Sequence, residues 1–264
     1  MLKKLTDHNV EEVTEFLKQH LEDCIYLYID IKKYRTTNPA MNVWYEKDAG
    51  RIQLVVMRYH TSITFFAEKD NCNLDTVIGL IKKYKPNSIS TTKRLAERLH
   101  LLLKTYDASY GYIIRFLQYP DFGGDHLVEL AKDEDMLEIA RLVTSDEEIG
   151  SYYELQDLAD QFLERRRCGM GRNYIVRDNG MIVGHIASYA ELDHIGTTGG
   201  LIVKPDYQGK LLGAILEGYI IRKMLGEGYQ LYGYVSERKC KLLIRMGNEI
   251  ATQYGKLTKH TSNI

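Results

Sequence analysis

The chain has 264 residues, of which 44% are apolar and 27% are charged. Both fractions lie near the averages for soluble globular proteins, which excludes collagen-like, coiled-coil and disordered chains. With 35 basic and 36 acidic residues the net charge is -1, so the chain lacks the strong positive field that non-specific nucleic-acid binding requires. At about 150 residues per domain, the length predicts one or two compact domains.

The four cysteines, Cys24, Cys72, Cys168 and Cys240, form no CxxC pair and no spacing typical of a zinc site. Free thiols in a reducing compartment, and no bound metal, are therefore expected. No stretch approaches 18 uncharged apolar residues, and the charged N-terminus is unlike a signal peptide. We expect a cytoplasmic protein without a membrane span.

The first half, residues 1–122, mixes helical and strand-like patterns. Apolar spacing predicts helices at Val10–Leu21, Leu74–Lys83 and Thr92–Leu103. Runs rich in β-branched and aromatic residues predict strands at Ile25–Ile31, Asn42–Tyr45, Ile52–Tyr59, Ile63–Ala67 and Tyr110–Leu117. Hairpin-like strands between helices favour an α+β domain with a mixed, mostly antiparallel sheet flanked by helices.

A stretch rich in Gly, Pro and Asp, Gln118–Asp125, predicts the joint between two halves. Residues 125–264 then predict a second alternating domain. Its predicted elements are a strand at His126–Leu130, helices at Asp133–Val143 and Glu154–Arg166, a hairpin of Arg172–Arg177 and Met181–Ala190 closed by Asn179-Gly180, a strand at Thr197–Val203, a helix ending at Leu225, a strand at Tyr229–Val235, a helix at Glu237–Met246 and a last strand pair near Ile250–Leu257.

The segment from Leu201 to Ala214 carries the clearest chemical signal. Leu201, Ile202 and Val203 form a β-favouring run that Pro205 ends, and a helical pattern follows. Glycines allow close backbone approach, and amides at a helix N-terminus attract an anion, so a phosphate site is predicted. It comprises Gln208, Gly209, Lys210, Leu211, Leu212, Gly213 and Ala214. The P-loop and GxGxxG motifs are missing, so nucleotide hydrolysis and dinucleotide binding have no supporting motif.

The spacing V-x-P-x-x-Q-x-x-x-x-G-A, from Val203 to Ala214, resembles the acyl-CoA loop of the GNAT superfamily of N-acyltransferases. The family pattern is Gln or Arg, two residues, Gly, one residue, then Gly or Ala, and here Leu211 stands in place of the first glycine. The element order from His126 onward is similar to that of the family. The first half resembles N-terminal domains of bacterial two-part members, which can be degenerate copies. The resemblance implies a GNAT-like fold in the second half and a related α/β domain in the first.

By the same resemblance, the cosubstrate is acetyl-CoA and the acceptor is a primary amine that attacks the thioester directly. The backbone of Leu201–Val203 would pair with the pantetheine arm and polarise the carbonyl, and the amides of Gln208–Ala214 would hold the pyrophosphate. Ser236 and Cys240 would contact CoA. Leu243 stands where many members carry a tyrosine that protonates the leaving thiolate, and Tyr152-Tyr153 would shape the acceptor pocket.

An amine with a pKa of about 10.4 is almost fully protonated at pH 7, so the reaction needs a base or a lowered amine pKa. Glu191 and His194, in the predicted turn before the Leu201–Val203 strand, are the candidate bases. His185 lies inside a strand pattern and is predicted to be a hydrogen-bonded sheet residue.

Two alternative functions stand beside the acetyltransferase. One is a non-catalytic acyl-CoA-binding sensor or assembly protein with a GNAT fold, and the other is a module that binds a nucleotide or phosphate metabolite. The expected partners are acetyl-CoA and an amine-bearing acceptor, without nucleic acid or membrane, and a homodimer is one expected assembly.

Overall fold

A computed structural model describes residues 2–146, 150 and 153–260. The described residues form two compact units. The first combines the chain up to Ile113 with the residues from Ala251 onward, and the second is Ile114–Ile250. The sequence predicts the joint at 122–125; in the structure the first unit ends at Ile113 and also contains most of the last strand of the chain.

The first unit is a helix-flanked sheet with the strand order β1-β2-β3-β4-β5-β12. Its strands run antiparallel except β4 and β5, which are parallel. The elements are β1 (Lys3–Lys4), α1 (Val10–Gln19), α2 (Leu21–Tyr34), β2 (Met41–Asp48), β3 (Arg51–Tyr59), β4 (Ser62–Ala67), α3 (Asp75–Tyr84), β5 (Ser88–Thr92), α4 (Lys93–Leu102), β6 (Tyr106–Phe116), whose last three residues belong to the second unit, and β12 (Glu249–Lys259), which enters the first unit at Ala251.

The segment Ile25–Ile31, which the sequence predicts to be a strand, is part of helix α2. The prediction was wrong because the helix is buried nearly all round, so its apolar residues show no amphipathic period. Its fully buried side chains include Ile25, Leu27 and Ile29. The predicted C-terminal strand pair is likewise one strand, β12. Strand β5 was not predicted, because its Ser and Thr residues give no apolar pattern.

The second unit is a sheet with the order β11-β10-β9-β8-β7, in which the neighbours β10 and β11 are parallel and the other pairs antiparallel. The hairpin turn at Asn179-Gly180 is confirmed: both residues have positive φ (48° and 81°), as a type I′ turn requires. The elements are β7 (Glu129–Leu130), α5 (Met136–Thr144), α6 (Leu155–Arg167), β8 (Arg172–Asp178), β9 (Met181–Leu192), β10 (Ile195–Val203), α7 (Leu212–Gly226), β11 (Gln230–Val235) and α8 (Glu237–Arg245).

The two units share one element order. In each, a short strand is followed by two helices, three antiparallel strands, a helix, a parallel strand, a helix and a last strand. The strand β12, which ends the second series, pairs with β5 of the first unit through Leu257↔Ile89 and its neighbours. The expected mixed, mostly antiparallel sheet flanked by helices is confirmed, and the order supports the interpretation of the first half as a related copy.

Apolar side chains between sheet and helices form a core in each unit. In the second unit, α5 and α6 pack on the sheet through Ile139, Leu158 and Phe162, which meet Ile175 and Ile202. Within the described residues, no helix has the length and apolar character that a bilayer crossing requires.

Candidate functional site

The parallel strands β10 and β11 pair at one end and separate at the other. Their register runs from Ile195↔Gln230 to Thr198↔Gly233, whereas β10 continues to Val203 and β11 to Val235. The backbone of β10 beyond Thr198 therefore faces a gap. Strand backbone carries regularly spaced donors and acceptors, so an extended ligand can bind there as an added strand would.

At the open end of the gap, a loop leads from β10 into helix α7. The Gln208 side-chain amide donates to the carbonyl of Val203 at 3.0 Å, which closes the loop back on the strand. Helix α7 begins at Leu212, and no side chain caps its first turn. The first N–H groups of a helix have no intrahelical acceptors and carry a partial positive charge. An anion that reaches this loop meets those amides, with Lys210 exposed beside them.

Leu211, the residue that stands where the family pattern has glycine, keeps a glycine-like backbone. Its φ and ψ are 61° and 0°, in the left-handed region, which costs a residue with a Cβ about 1–2 kcal/mol. The residue is 60% exposed, so burial of its side chain offsets little of that strain. The loop therefore has the glycine conformation with a leucine side chain on its outer surface.

The pairing of β10 with β9, on the side away from the gap, is irregular where the gap opens. Between the pairs Gly199↔Ala187 and Ile202↔His185, strand β10 contains one residue more than β9. Between the pairs Thr197↔Ala190 and Thr198↔Ser188, strand β9 contains the extra residue, which is Tyr189. Such bulges free backbone groups from the ladder and re-aim side chains.

The ring of Tyr189 lies over the glycines of this bulge. A Cβ at Gly199 would come within 2.9 Å of the ring, and one at Gly200 would overlap the Tyr189 hydroxyl. The ring also stacks on Phe162 of α6, with the centroids 6.0 Å apart. Tyr189 was not predicted as a site residue; the Gly199-Gly200 pair, together with a tyrosine in the preceding strand, was the available signal in the sequence.

His185 lies in β9 beneath the same bulge and is fully buried. Its Nδ1 lies 2.9 Å from the carbonyl oxygen of Gly200, and its Nε2 lies 2.9 Å from the side-chain oxygen Oδ1 of Asn173. Burial lowers the pKa of His185 to about 4, although the bond to Gly200 acts in the opposite direction. The imidazole is therefore neutral at pH 7, as a hydrogen-bonded sheet histidine.

Glu191, one of the two predicted bases, is 5% exposed and bound in an ion pair. Arg172 donates to both of its carboxylate oxygens at 2.9 Å, and Ser188 donates to one of them. Arg172 also binds Glu227 at 2.7 Å. Because Glu191 pairs with Gly196, it lies about 10–13 Å along β10 from the Gly199-Gly200 bulge.

His194, the other predicted base, lies in the exposed turn between β9 and β10 with a positive φ of 57°. Its ring contacts Tyr229, with the centroids 5.4 Å apart. The turn is roughly 17–20 Å along β10 from the bulge. The structure thus brings neither Glu191 nor His194 to the gap; both lie at its closed end.

Helix α8 forms the wall beside β11. Ser236 caps this helix and accepts a bond from the Lys239 amide at 3.4 Å. Cys240 is buried, which raises the pKa of its thiol, and Leu243 is fully buried in the packing of the helix. Of the predicted acceptor-pocket pair, Tyr153 packs beside the core under α5 and α6, and Tyr152 lies outside the described residues.

A buried carboxylate links α7 to α8. Glu217 of α7 accepts hydrogen bonds from the Tyr119 hydroxyl at 2.5 Å and from Lys239 of α8. Burial, together with Glu217, raises the pKa of Tyr119. These bonds fix the spacing of the two helices that flank the gap.

The corresponding loop of the first unit, residues 68–74 between β4 and α3, is less suited to an anion than the loop before α7. The Asn73 side chain accepts the Asp75 amide at 2.8 Å, which occupies a helix N-terminal donor. Asp70 contributes a negative charge and pairs with Arg94 at 2.8 Å. Arg98 binds the carbonyl of Cys72 at 2.9 Å. The two copies thus differ at the feature that would hold phosphate.

Residues 125–246 match the sequence profile of the acetyltransferase (GNAT) family. This part of the chain is a GNAT domain. The match spans the gap, the loop and both flanking helices. No curated protein sequence matches the chain.

Several solved structures share the fold over the whole length. A Drosophila protein from a structural genomics programme is 13% identical, has a TM-score of 0.69 and covers 98% of each chain. A tandem GNAT protein from the clavulanic acid biosynthesis pathway is 13% identical, with a TM-score of 0.56 and 100% of each chain covered. A GNAT-family acetyltransferase from Colwellia psychrerythraea is 10% identical, with a TM-score of 0.54, and covers 98% of this chain and 100% of its own. At these identities the likeness concerns the fold, and it supports a two-part GNAT architecture.

Substitution Leu211→Gly is expected to raise the stability of the GNAT domain. The left-handed backbone destabilises a folded protein with leucine at this position by about 1–2 kcal/mol. Glycine removes this strain, but its greater freedom in the unfolded chain lowers the stability by about 0.5–1 kcal/mol. The net gain is about 0.5–1 kcal/mol, measured by urea denaturation followed by circular dichroism.

Lys210→Gly is the matched control, because Lys210 does not have a positive φ. It should lower stability or leave it unchanged. Equal destabilisation by both glycine substitutions would show that the Leu211 backbone is not strained.

Proposed function

We propose that the GNAT domain is an acyltransferase that moves an acetyl group from acetyl-CoA to a primary amine. The observation that carries this proposal is the separation of β10 from β11 directly beside the uncapped N-terminus of α7. A ligand with an amide-bearing arm and a pyrophosphate fits both features at once. The arm would pair with β10 while the phosphates meet the α7 amides.

The donor side uses mostly backbone groups. The residues proposed to hold acetyl-CoA are Leu201, Ile202 and Val203 on β10 and Gln208, Gly209, Lys210, Leu211, Leu212, Gly213 and Ala214 on the loop and α7. Ser236 and Cys240 are proposed to support α8 as the opposite wall, since the Ser236 oxygen caps the helix and Cys240 is buried. Among the described residues, no cluster of three His, Cys, Asp or Glu side chains suits a metal, and the proposed chemistry uses none.

In the proposed reaction the amine nitrogen forms a bond to the thioester carbon, and the carbon–sulfur bond then breaks to release CoA thiolate. Backbone N–H groups of β10 would stabilise the oxyanion that develops between these steps. Because Leu243 has a hydrocarbon side chain, α8 offers no hydroxyl at that position. We propose that Tyr189, whose hydroxyl lies on the Gly200 bulge, is the proton donor to the thiolate.

The proton of the amine is proposed to leave to water. Glu191 is held by Arg172, and both it and His194 lie toward the closed end of the gap. At pH 7 an amine with a pKa of about 10.4 is almost entirely protonated, so forming the reactive neutral amine adds about 4–5 kcal/mol to the barrier. The rate should therefore rise with pH toward the pKa of the amine.

We propose that the protein acts in the cytoplasm, which its four free cysteines support, since free thiols persist in reducing compartments. A non-catalytic acyl-CoA sensor is a second candidate function, favoured by Leu211 and Leu243 at positions where the resemblance implies functional residues. Binding of acetyl-CoA without consumption across a panel of amines would select it.

Gly213→Arg is expected to abolish acetyl-CoA binding. Gly213 faces β10, since a Cβ there would lie 3.7 Å from Val203 and 3.8 Å from Leu201, so an arginine would fill the space proposed for the arm and phosphates. Gly213→Ala is the matched control, because its methyl group makes only ordinary contacts. Calorimetry should give acetyl-CoA binding in roughly the micromolar to millimolar range for wild type and the alanine variant.

The same titrations include ATP as a competing phosphate ligand. A preference for ATP would contradict the acyltransferase proposal. Unchanged acetyl-CoA affinity in a folded Gly213→Arg variant would show that the ligand binds elsewhere.

Glu191→Gln is expected to lower the stability of the GNAT domain and to leave the pH dependence of acyl transfer unchanged. Loss of one charge from the buried pair should cost roughly 1–3 kcal/mol of stability. The slope of log kcat/KM against pH should stay unchanged with lysine methyl ester, ethanolamine, putrescine or glucosamine as acceptor. Thiol release from acetyl-CoA measures the rate.

Glu237→Gln is the control for this substitution, since the Glu237 carboxylate is exposed on α8; it should change stability by less than about 0.5 kcal/mol. If Glu191→Gln folds normally yet loses the rise of rate with pH, Glu191 is the base after all.

A further inference from the structure

The Gly200 carbonyl is held outside the ordinary strand ladder. Gly200 has a φ of 65°, a backbone that glycine adopts at little cost. It lies in the part of β10 that carries one residue more than β9. Instead of a backbone partner directly across the sheet, its oxygen has His185 Nδ1 at 2.9 Å. A side chain of β9 therefore sets the orientation of this peptide group.

The tautomer of His185 follows from its neighbours. A neutral imidazole has one N–H donor and one acceptor nitrogen. The Gly200 carbonyl can only accept, so the proton is on Nδ1. Nε2 must then accept a hydrogen bond. The atom placed beside it is Asn173 Oδ1, with Nδ2 3.7 Å from Met136 Sδ, so the amide has to turn over to bring Nδ2 to Nε2, an exchange of nitrogen and oxygen that keeps its shape. Phe162 covers the ring, with the centroids 5.6 Å apart, so the ring is held in place.

The bond to Gly200 also determines where the next N–H points. In a planar trans peptide, the C=O of Gly200 and the N–H of Leu201 lie on opposite sides. With the carbonyl turned toward His185 on β9, the Leu201 N–H points away from β9. The neighbour of β10 on that other side is β11, whose pairing with β10 ends at Thr198↔Gly233. The Leu201 N–H is thus aimed at the gap.

We propose that His185 is a positioning residue for acyl transfer, which fixes the Gly200–Leu201 peptide so that the Leu201 N–H binds the thioester carbonyl oxygen. This inference rests on the proposed function. His185 itself touches neither the thioester nor the amine. As the attacking nitrogen bonds to the carbonyl carbon, the electron pair moves onto that oxygen. A donor already aligned with it strengthens its bond in the transition state.

His185→Leu removes the donor and keeps an apolar side chain in the core. Outright removal of one oxyanion donor costs 10²- to 10³-fold in kcat, and a displaced donor should cost less, roughly 10- to 100-fold. The Kd for acetyl-CoA should change by less than about threefold, because the pyrophosphate contacts are on α7. His185→Gln, which keeps a donor, should recover part of the rate, and His194→Ala at the exposed turn should have no effect.

The decisive readout is the infrared carbonyl band of acetyl-CoA labelled with ¹³C at the thioester carbon. Bound to the wild-type protein, this band should lie at lower frequency than in solution, and His185→Leu should lose most of that shift while still binding. A folded His185→Leu protein that keeps the shift and the rate overturns the proposal. The proposal is also overturned if the rate lost in His185→Leu is fully explained by weaker binding of acetyl-CoA.

A second measurement needs no variant. Imidazole ¹⁵N spectra of the wild-type protein should show a proton on Nδ1 of His185 and none on Nε2, and the opposite tautomer overturns the proposal. Failure of the proposed function is distinguishable, because wild-type protein would then neither bind nor consume acetyl-CoA. That result would remove the positioning role as well.

Discussion

The separation of β10 from β11 is the feature on which the proposed site depends. Parallel strands pair through slanted hydrogen bonds along their length, and here the pairing ends at Thr198↔Gly233 although both strands continue. Beyond that point β10 keeps strand geometry without a strand neighbour on one side. Exposed strand backbone needs water or a ligand as partner. The gap, the bulge and the start of α7 follow one another along this single stretch of chain.

Two glycines make the irregular strand possible, and neighbouring side chains hold it. Gly200 adopts positive φ at little cost, and the pair leaves space that the Tyr189 ring occupies. His185 binds the displaced carbonyl. The bulge is therefore specified by buried contacts as well as by the freedom of glycine. This explains how a strand that has lost part of its ladder can keep one defined shape.

Local signals in the sequence were sufficient for the loop and most elements of the GNAT domain. Asn179-Gly180 marked its hairpin, and the run from Val203 to Ala214 marked the strand, loop and helix because those residues are neighbours in the chain. The buried helix α2 was not predictable from periodicity. Glu191 is held by Arg172, and His185 binds Gly200; in both pairs the partner lies more than ten residues away in the chain. For Glu191, closeness in sequence to the predicted Leu201–Val203 strand therefore did not mean closeness in space to the gap. For the left-handed backbone of Leu211, the only signal in the sequence was its position in place of the glycine of the family pattern.

The two copies of the fold make the central claim testable within one molecule. In the first copy Asn73 accepts the Asp75 amide and the loop carries the Asp70 charge, whereas no side chain accepts from the first turn of α7 in the second. The most direct measurement is amide hydrogen exchange with and without acetyl-CoA, read on the peptides that cover the two loops. Binding should slow exchange across residues 201–214 and leave residues 68–74 unchanged. Unchanged exchange across 201–214, or protection at 68–74 instead, would contradict the proposed site.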